Sequence, residues 1–510
     1  MTCNVALFSH RIGVFVALNT LKPLIIYTFV LHYHKMSNFL EKSFRSLGTL
    51  LLAGVLSASG GEPLTLDQCL SIALDDNPTV RVADMEVRKA DYSKKETIGA
   101  LLPTLSFGGT YNRTLKKQVA YMDVGAFGDM GETGHPGMSD GADSSALSDM
   151  SDSSDKGIKM GLDNAWSAGF TATMPLIAPQ MWQALRLSDV QIASAVEKAR
   201  ASRLDLVNQV KNAFYALLLA HDSRRVVQES YDMAALTHDI YQKRFAAGDA
   251  SEYDVLRTSV QMKNVEPEII QADIAIRRAH LQLAVLMGLE ADAPFEIAGS
   301  LADYEKDMYE TALNLDTDIS ANTSLALNEI QTKTLRRQLN YDKAAFLPTL
   351  ALQGNYNWTS SSNGSPLQNF RWTPYSVVGL TLSVPIFQGG QRWNRIRQSQ
   401  IALEEMAYTR ENLTRQLRSQ AELAADNITL NVKQIASSSE SVAQATRAHD
   451  IQQKSFDIGA ASYLDLRDSE LSLTRARLAY YQSVYNYLVA NSDLELLLGN
   501  APLESYKTRK

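Results

Sequence analysis

The sequence predicts a mixed α and β fold made by duplication, in which each repeat joins a membrane-type β-hairpin to a long antiparallel helical hairpin. Three observations predict it. Similar segments recur in the same order along the 510 residues. Two pairs of segments alternate apolar and polar residues with the period of a half-buried strand. Two long runs, 180–247 and 391–458, contain neither proline nor glycine, as expected of long helices.

The N-terminal segment predicts export. Residues 1–59 are interpreted as an over-extended start followed by a signal peptide, with Met36 as the true start. Basic residues precede an apolar run at 47–56, and the small residues 57–59 offer a cleavage site. The apolar run has about half of the roughly 20 residues that a membrane-spanning helix requires. A signal peptide is therefore favoured over a membrane anchor.

Composition excludes several classes of protein. Only Cys69 follows the predicted signal, so the exported chain cannot form an intrachain disulfide. The net charge is −7 and no segment is strongly basic, which argues against a nucleic-acid partner. No HExxH, GxSxG or P-loop motif occurs, and no spacing indicates a cofactor or a metal ligand set. The chain is therefore not predicted to be an enzyme.

The repeats are recognised from two pairs of motifs. "LPTLSFGGTYNRT" at 102–114 returns as "LPTLALQGNYNWT" at 347–359. "FAAGDASEYDVL" at 245–256 returns as "FDIGAASYLDLR" at 456–467. The boundaries that follow are a first repeat at 60–288, an equatorial connector at 289–321, a second repeat at 322–499 and a tail at 500–510.

Each repeat has the same predicted order of elements. A short helix opens it, capped by Asn77 in the first repeat and by Asn322 in the second. The proline of each LPTL motif ends this helix and begins a β-hairpin. The predicted β-hairpin and helical hairpin occupy about 102–176 and 180–288 in the first repeat, and about 347–387 and 391–499 in the second.

The predicted strands have one apolar and one polar face. Leu105, Phe107 and Tyr111 alternate with small or polar residues, and so do Leu350 and Leu352. The alternation extends over about the 9 to 11 residues that cross a bilayer as a tilted strand. The aromatic residues near strand ends are predicted to form a membrane girdle, with ordinary core packing as the alternative: Trp166, Trp358, Trp372 and Tyr375.

Four strands cannot close a barrel, because known single-chain membrane barrels begin at about eight strands. Open sheet edges in lipid cost several kcal/mol per polar group, so other copies of the chain must complete the barrel. Three copies would supply twelve strands. The long runs would form helices of roughly 100 Å. A barrel joined to a tube of helices predicts a conduit; a non-conducting periplasmic coiled-coil scaffold or adhesin is the alternative.

Several segments resemble the TolC family of outer-membrane efflux and secretion factors. They are "LTLDQCLSIALDDNPTV" at 64–80, "VPIFQGGQRWNRI" at 384–396, the LPTL strands and the paired glycine turns. The resemblance covers about residues 62–500. It implies a homotrimer with a 12-stranded barrel in outer-membrane lipid and an α-helical tunnel in the periplasm. It also implies an exit duct that works with a periplasmic adaptor and an inner-membrane transporter of the RND, ABC or a similar class.

The resemblance places the candidate site at the two glycine turns. Asp465 and Asp468 fall on the aspartates that line the family's periplasmic constriction, and they share one helix face. Three chains would therefore surround the axis with six carboxylates, which favour cations. The residues predicted to form the hairpin turns and to contact the adaptor are Gly248, Ser251, Asp254, Gly459, Ala461 and Ser462.

Helix capping is the competing interpretation of Asp465. Ser462 and Asp465 have the spacing of a capping box, which the first repeat duplicates. Asp468 lies beyond the cap, and its counterpart in the first repeat is Arg257. Asp468 is therefore the better candidate for a pore residue.

Two features set limits on the resemblance. Where the family's gate network has an arginine and a tyrosine, this chain has Ala461 and Phe456, so the same network cannot form. Segment 115–160 holds five methionines, one histidine and eight acidic residues. That composition predicts a soluble extracellular loop, with Cu(I) or Ag(I) binding as the alternative.

Overall fold

The computed structural model describes residues 63–120, 158–291, 293–305, 308, 315–365 and 371–503. These residues belong, apart from Pro63, to one unit, Leu64–Lys510. The predicted signal and most of the 115–160 segment lie outside the described residues.

The first repeat contains eight labelled elements. They are α1 (Leu66–Asp76), α2 (Pro78–Gly99), β1 (Thr104–Arg113), β2 (Gln118–Ala120), β3 (Ile158–Met160), β4 (Asn164–Ile177), α3 (Pro179–Ala246) and α4 (Glu252–Met287). The second repeat contains α5 (Thr323–Ala344), β5 (Thr349–Ser362), β6 (Thr373–Ser383), α6 (Gln391–Asp457) and α7 (Tyr463–Leu498). Helices α3 and α6 have 68 and 67 residues, which corresponds to about 100 Å each.

The two hairpins combine into one sheet. Its strand order is β1-β4-β5-β6, and every neighbouring pair is antiparallel. The inner pair, β4 and β5, comes from different repeats. Strand β6 ends at Ser383 rather than near the predicted 387, because its partner β5 begins at Thr349, opposite Ser383. Strands β1 and β6 form the two edges of the sheet.

The register gives the sheet two chemically distinct faces. Phe107 pairs with Phe170, and Phe170 pairs in turn with Tyr356, so these rings share one face. Thr110 pairs with Ser167 on the other face, where their hydroxyl oxygens are 2.6 Å apart. The predicted separation into an apolar and a polar face is confirmed.

The helices pack in a defined order. Beside the sheet, α2 packs on α3, α3 on α5 and α5 on α6. Beside the glycine turns, α4 packs on α3, α3 on α7 and α7 on α6. Among the described residues, no helix has the length and apolar character needed to cross a membrane.

Two asparagines join helices end to end. The Asn77 side chain accepts from Thr79 N at the start of α2 and donates to Leu286 O at the end of α4, 2.8 Å away. Asn322 repeats this arrangement between α5 and α7. The adjoining Gly288 has φ 76°, and a Cβ there would lie 2.9 Å from Asp76 O. Only glycine fits this junction without strain.

A buried carboxylate fixes the described part of the connector. Asp222 in α3 is 4% exposed and accepts hydrogen bonds from Ser300 Oγ and Leu301 N, both 2.9 Å away. Leu64 forms a parallel bridge with Ile297 on the same segment. This described part of the connector therefore packs against the helices.

Candidate functional site

The turns that join the long helices to their return helices have the same backbone in both repeats. We define the first tip as residues 245–257 and the second tip as residues 456–468. Gly248 has φ 83° and Gly459 has φ 75°, a region that favours glycine. The predicted role of both glycines as turn residues is confirmed.

Both tips restart the chain with a capping box. In the second tip Asp465 N donates to Ser462 Oγ at 3.3 Å, while Ser462 N donates to the Asp465 carboxylate at 3.1 Å. Ser251 and Asp254 form the same pair of bonds. The hydrogen bond from the Ser462 hydroxyl holds the pKa of Asp465 below its usual range. The capping role of Asp465 is confirmed, while pore lining stays a prediction.

Asp468 differs from Asp465 in having no capping task. Its side chain is exposed and forms no ion pair or side-chain hydrogen bond within the described ranges. Only its backbone carbonyl is engaged, by the Ser472 hydroxyl at 2.7 Å. Asp468 therefore keeps a free carboxylate one helical turn beyond the cap.

The two tips meet through a cluster that the sequence did not predict. The tip cluster comprises Tyr241, Arg244, Arg257, Phe456 and Tyr463. The Tyr241 ring lies 5.7 Å from Tyr463 and 6.2 Å from Phe456. Arg257 lies over Tyr463 at 5.1 Å, and Arg244 over Phe456 at 5.4 Å. Aromatic and cation–π contacts therefore link the first repeat to the second.

Phe456 and Ala461 have structural tasks in the second tip. Phe456 is 3% exposed inside the tip cluster. Ala461 N donates to Ser455 O at 3.2 Å and helps close the turn. The arginines of this cluster come from the first repeat, so a search of the second tip alone could not find them.

All four predicted girdle residues lie at the sheet end remote from the long helices, and three of them are tryptophans. Trp166 is near the start of β4, and its ring lies 4.2 Å from Tyr111. Trp358 is near the end of β5, 6.1 Å from Phe170 on the apolar face. Trp372 precedes β6 and is 44% exposed. Their membrane role stays a prediction.

Tyr375 requires a correction. It pairs with Asn357 in the register, and Asn357 Nδ2 donates to its hydroxyl at 3.2 Å. Trp358, the neighbour of Asn357 in β5, points to the opposite face because side chains alternate along a strand. Tyr375 therefore lies on the polar face and cannot share a lipid-facing girdle with Trp358.

No group of three or more histidine, cysteine, aspartate or glutamate side chains suited to a metal ion occurs among the described residues. Cu(I) or Ag(I) binding is the alternative prediction for the 115–160 segment. Residues 121–157 of that segment lie outside the described residues.

Comparison with known proteins agrees with this architecture. The family model described as "Outer membrane efflux protein" matches residues 69–289 and 315–500. The outer membrane protein TolC of Vibrio cholerae is 21% identical, over 65% of this chain and 76% of its own. The alkaline protease secretion protein AprF of Pseudomonas aeruginosa is 25% identical, over 64% and 68%. The cobalt-zinc-cadmium resistance protein CzcC of Cupriavidus metallidurans is 24% identical, over 58% and 68%.

Solved structures show the same fold. The outer membrane protein VceC of Vibrio cholerae has a TM-score of 0.61 at 15% identity, covering 85% of this chain and 96% of its own. The Campylobacter jejuni CmeC outer membrane channel has a TM-score of 0.62 at 15% identity, covering 87% and 90%. The family consists of channel or duct proteins, which favours a conduit over the scaffold or adhesin alternative. The chain therefore belongs to the outer membrane efflux protein family and is an outer-membrane exit duct for efflux or type I secretion.

Proposed function

We propose that three copies of the chain form one duct, in which their sheets close a 12-stranded barrel and their helices form the periplasmic tunnel. The observation that carries this proposal is the four-stranded sheet with one apolar face and two open edges, β1 and β6. An edge strand exposed to lipid leaves unsatisfied backbone groups, which cost several kcal/mol each. Pairing of β6 with β1 of the next copy removes both edges.

The helical part offers a matching pair of edges. Helix α6 lies at one side of the packing order, and α2 and α4, joined end to end at Asn77, lie at the other. Apolar side chains are exposed on these edge helices: Val82, Met85 and Tyr92 in α2, Tyr253, Val260 and Ile274 in α4, and Ile401, Tyr408, Leu423, Leu430 and Ile451 in α6. Contact between α6 and the next copy's α2 and α4 would bury them.

Asp468 is the proposed pore residue at the periplasmic mouth. Its carboxylate is exposed and uncommitted, whereas Asp465 is engaged by its own cap. Three chains bring three Asp468 side chains around the axis. A ring of carboxylates attracts cations and favours their passage or retention there.

The partners follow from the direction of transport. A passive duct requires an energised inner-membrane transporter and an adaptor that connects the two. The small residues of the tips, Gly248, Gly459 and Ala461, offer a surface on which helices of an adaptor can approach closely. The duct exports the cargo that its transporter delivers, and the names of relatives include protease secretion and metal resistance.

Disulfide trapping tests the trimer. Thr110→Cys in β1 is combined in turn with cysteines along β6, and the protein is oxidised in membranes. We expect a crosslink between different chains at one register, and a bilayer conductance from the purified protein. Ser167→Cys in β4 is the matched control, because β5 separates β4 from β6. A soluble monomer without conductance would refute the duct.

A neutral side chain at the mouth tests the pore assignment. We expect Asp468→Asn to weaken block by multivalent cations added on the periplasmic side, because the ring loses its charge. Asp249→Asn in the first tip is the control and should leave block unchanged. Equal block in the wild type and Asp468→Asn would remove Asp468 from the pore.

A further inference from the structure

All five tryptophans of the chain lie near an end of the sheet. Trp166, Trp358 and Trp372 lie at the end remote from the long helices. Trp182 and Trp393 lie in the first turns of α3 and α6, beside the other end. Trp182 is 47% exposed and Trp393 is 66% exposed. The Trp393 ring contacts Phe346 at 5.5 Å, yet large parts of both indoles are exposed.

Each of these two tryptophans is followed by an arginine four residues later. Trp182 precedes Arg186, and Trp393 precedes Arg397, at equivalent positions of the two repeats. We call these the Trp–Arg pairs. Residues four apart lie on one face of a helix. Both arginines are exposed, and neither forms an ion pair or a side-chain hydrogen bond with the residues described in the structure.

Nearby Arg392, in contrast, forms hydrogen bonds within the chain. Its Nε donates to Gln388 Oε1 at 2.9 Å and its Nη1 donates to Pro385 O at 3.2 Å. Arg397 has no such task. Residues 391–403 contain three arginines and no acidic residue, so the start of α6 carries local positive charge.

The direction of the helices turns both arginines towards the sheet. Helices α3 and α6 run away from it, and side chains of a helix lean towards its N-terminus. One turn, about 6 Å, separates each arginine from its tryptophan. Exposed apolar residues connect the strands to the tryptophans in both repeats: Leu176 and Ile177 before Trp182, and Ile386 and Phe387 before Trp393.

We propose that each Trp–Arg pair binds an anionic phospholipid of the periplasmic leaflet. The exposed apolar residues would contact the acyl chains, the indole would lie at the lipid–water interface, and the guanidinium would contact the phosphate. The site is continuous with the apolar face of the sheet, and its charge complements the lipid. The inference rests on the membrane-spanning trimer proposed above, which would carry six such sites.

Fluorescence quenching tests the position of the tryptophans. Variants that retain only Trp182, or only Trp393, with phenylalanine at the other four positions, are reconstituted in vesicles with brominated acyl chains. We expect both to be quenched, as is a variant that retains only Trp358. Absence of quenching for Trp182 and Trp393 would mean that another copy of the chain or water covers this face, and would overturn the proposal.

Lipid titration tests the arginines. The detergent-solubilised protein is titrated with phosphatidylglycerol or phosphatidylcholine, and the thermal unfolding midpoint is followed. We expect phosphatidylglycerol alone to raise the midpoint, and we expect apparent binding to be about fivefold weaker in Arg186→Gln/Arg397→Gln, because each site loses its one arginine. The matched control is Arg410→Gln/Arg418→Gln, two exposed arginines farther along α6.

Two outcomes would overturn the lipid assignment. Equal stabilisation of the arginine variant and the control by phosphatidylglycerol would show that these arginines do not bind it. A response to lipopolysaccharide but not to phosphatidylglycerol would assign the arginines to the other leaflet's lipid. Conductance of the wild-type protein separates this proposal from the duct: a conducting protein without the lipid response loses only the lipid site.

Discussion

The two tips have the same backbone but different side-chain surroundings. Both turn at a glycine in the left-handed region and restart with a serine–aspartate capping box. Phe456 of the second tip is buried at 3% exposure, while its counterpart Phe245 is 48% exposed. Asp468 of the second tip is uncommitted, while its counterpart Arg257 lies over Tyr463. Duplication has retained the turn, and the functional differences lie in the residues around it.

This difference separates two tasks. The residues shared by the tips stabilise a reversal of the chain, which any helical hairpin needs. The unshared residues attach the second tip to the first and leave one carboxylate free. The second tip therefore combines an anchored apolar side with an exposed acidic side, and each prediction below tests one part of this contrast.

The largest expected effect is from loss of the buried phenylalanine. Phe456→Ala should lower the free energy of opening of the second tip by about 3 kcal/mol, because removal of a buried ring leaves a cavity. Phe245→Ala, the matched change in the first tip, should cost less than about 1 kcal/mol. Hydrogen exchange of the tip amides, measured by mass spectrometry, reports local opening. Equal protection losses in both variants would contradict the asymmetry.

Much of the fold follows from local sequence. The asparagine caps, the glycine turns and the long helices depend on residues near one another in the chain, so patterns reveal them. The tip cluster depends on Tyr241 meeting Phe456 and Tyr463, more than two hundred positions away. Such a contact requires the packing of α3 on α7, which helical periodicity alone does not specify.

The face of Tyr375 could have been predicted from the sequence. Val378, Leu380 and Leu382 alternate along β6 and define its apolar face, and Tyr375 has the opposite parity. The pairing of Tyr375 with Asn357 agrees with that alternation. A position near a strand end is therefore not sufficient to predict a girdle residue, because the side chain must also lie on the apolar face.

The capping serines should have equal effects in the two tips. Ser462→Ala and Ser251→Ala should each cost about 1 kcal/mol of local stability, because each removes the acceptor of a helix-start amide. Threonine at either position should restore most of the protection. Hydrogen exchange of the amides in the first turns of α4 and α7 measures the loss of local stability in each variant. A large effect at one serine only would mean that the shared motif has acquired a second task there.

A smaller effect is expected from the arginine that links the tips. Arg257→Ala should lower protection of the second tip by about 0.5–1 kcal/mol, the range of a partly exposed cation–π contact over Tyr463. Arg257→Lys should retain part of the protection of the second tip. Lys243→Ala is the control, since Lys243 instead pairs with Asp239 at 2.6 Å. Loss of protection confined to the first tip would show that Arg257 does not stabilise the second tip.

The last expected effect depends on pH and concerns Glu470, which has Ser259 as its counterpart in the first repeat. Burial raises the pKa of Glu470 from 4.5 to about 7. The folded second hairpin therefore binds the proton more tightly than the opened chain. Its stability is highest below about pH 4.5 and falls as the pH rises through about 7.

Glu470→Gln should remove this pH dependence. We expect the variant to be better protected than the wild type at pH 8 and to differ less at pH 5, with the thermal midpoint of the region shifting by about 1–3 °C. Comparing both proteins at the same pH cancels the intrinsic pH dependence of amide exchange. The first helical hairpin, which has Ser259 at the equivalent position, should not respond to the substitution at either pH. A difference of the same size at both pH values would mean that the substitution changes packing rather than charge, and the opening of the second helical hairpin would then not depend on ionisation of Glu470.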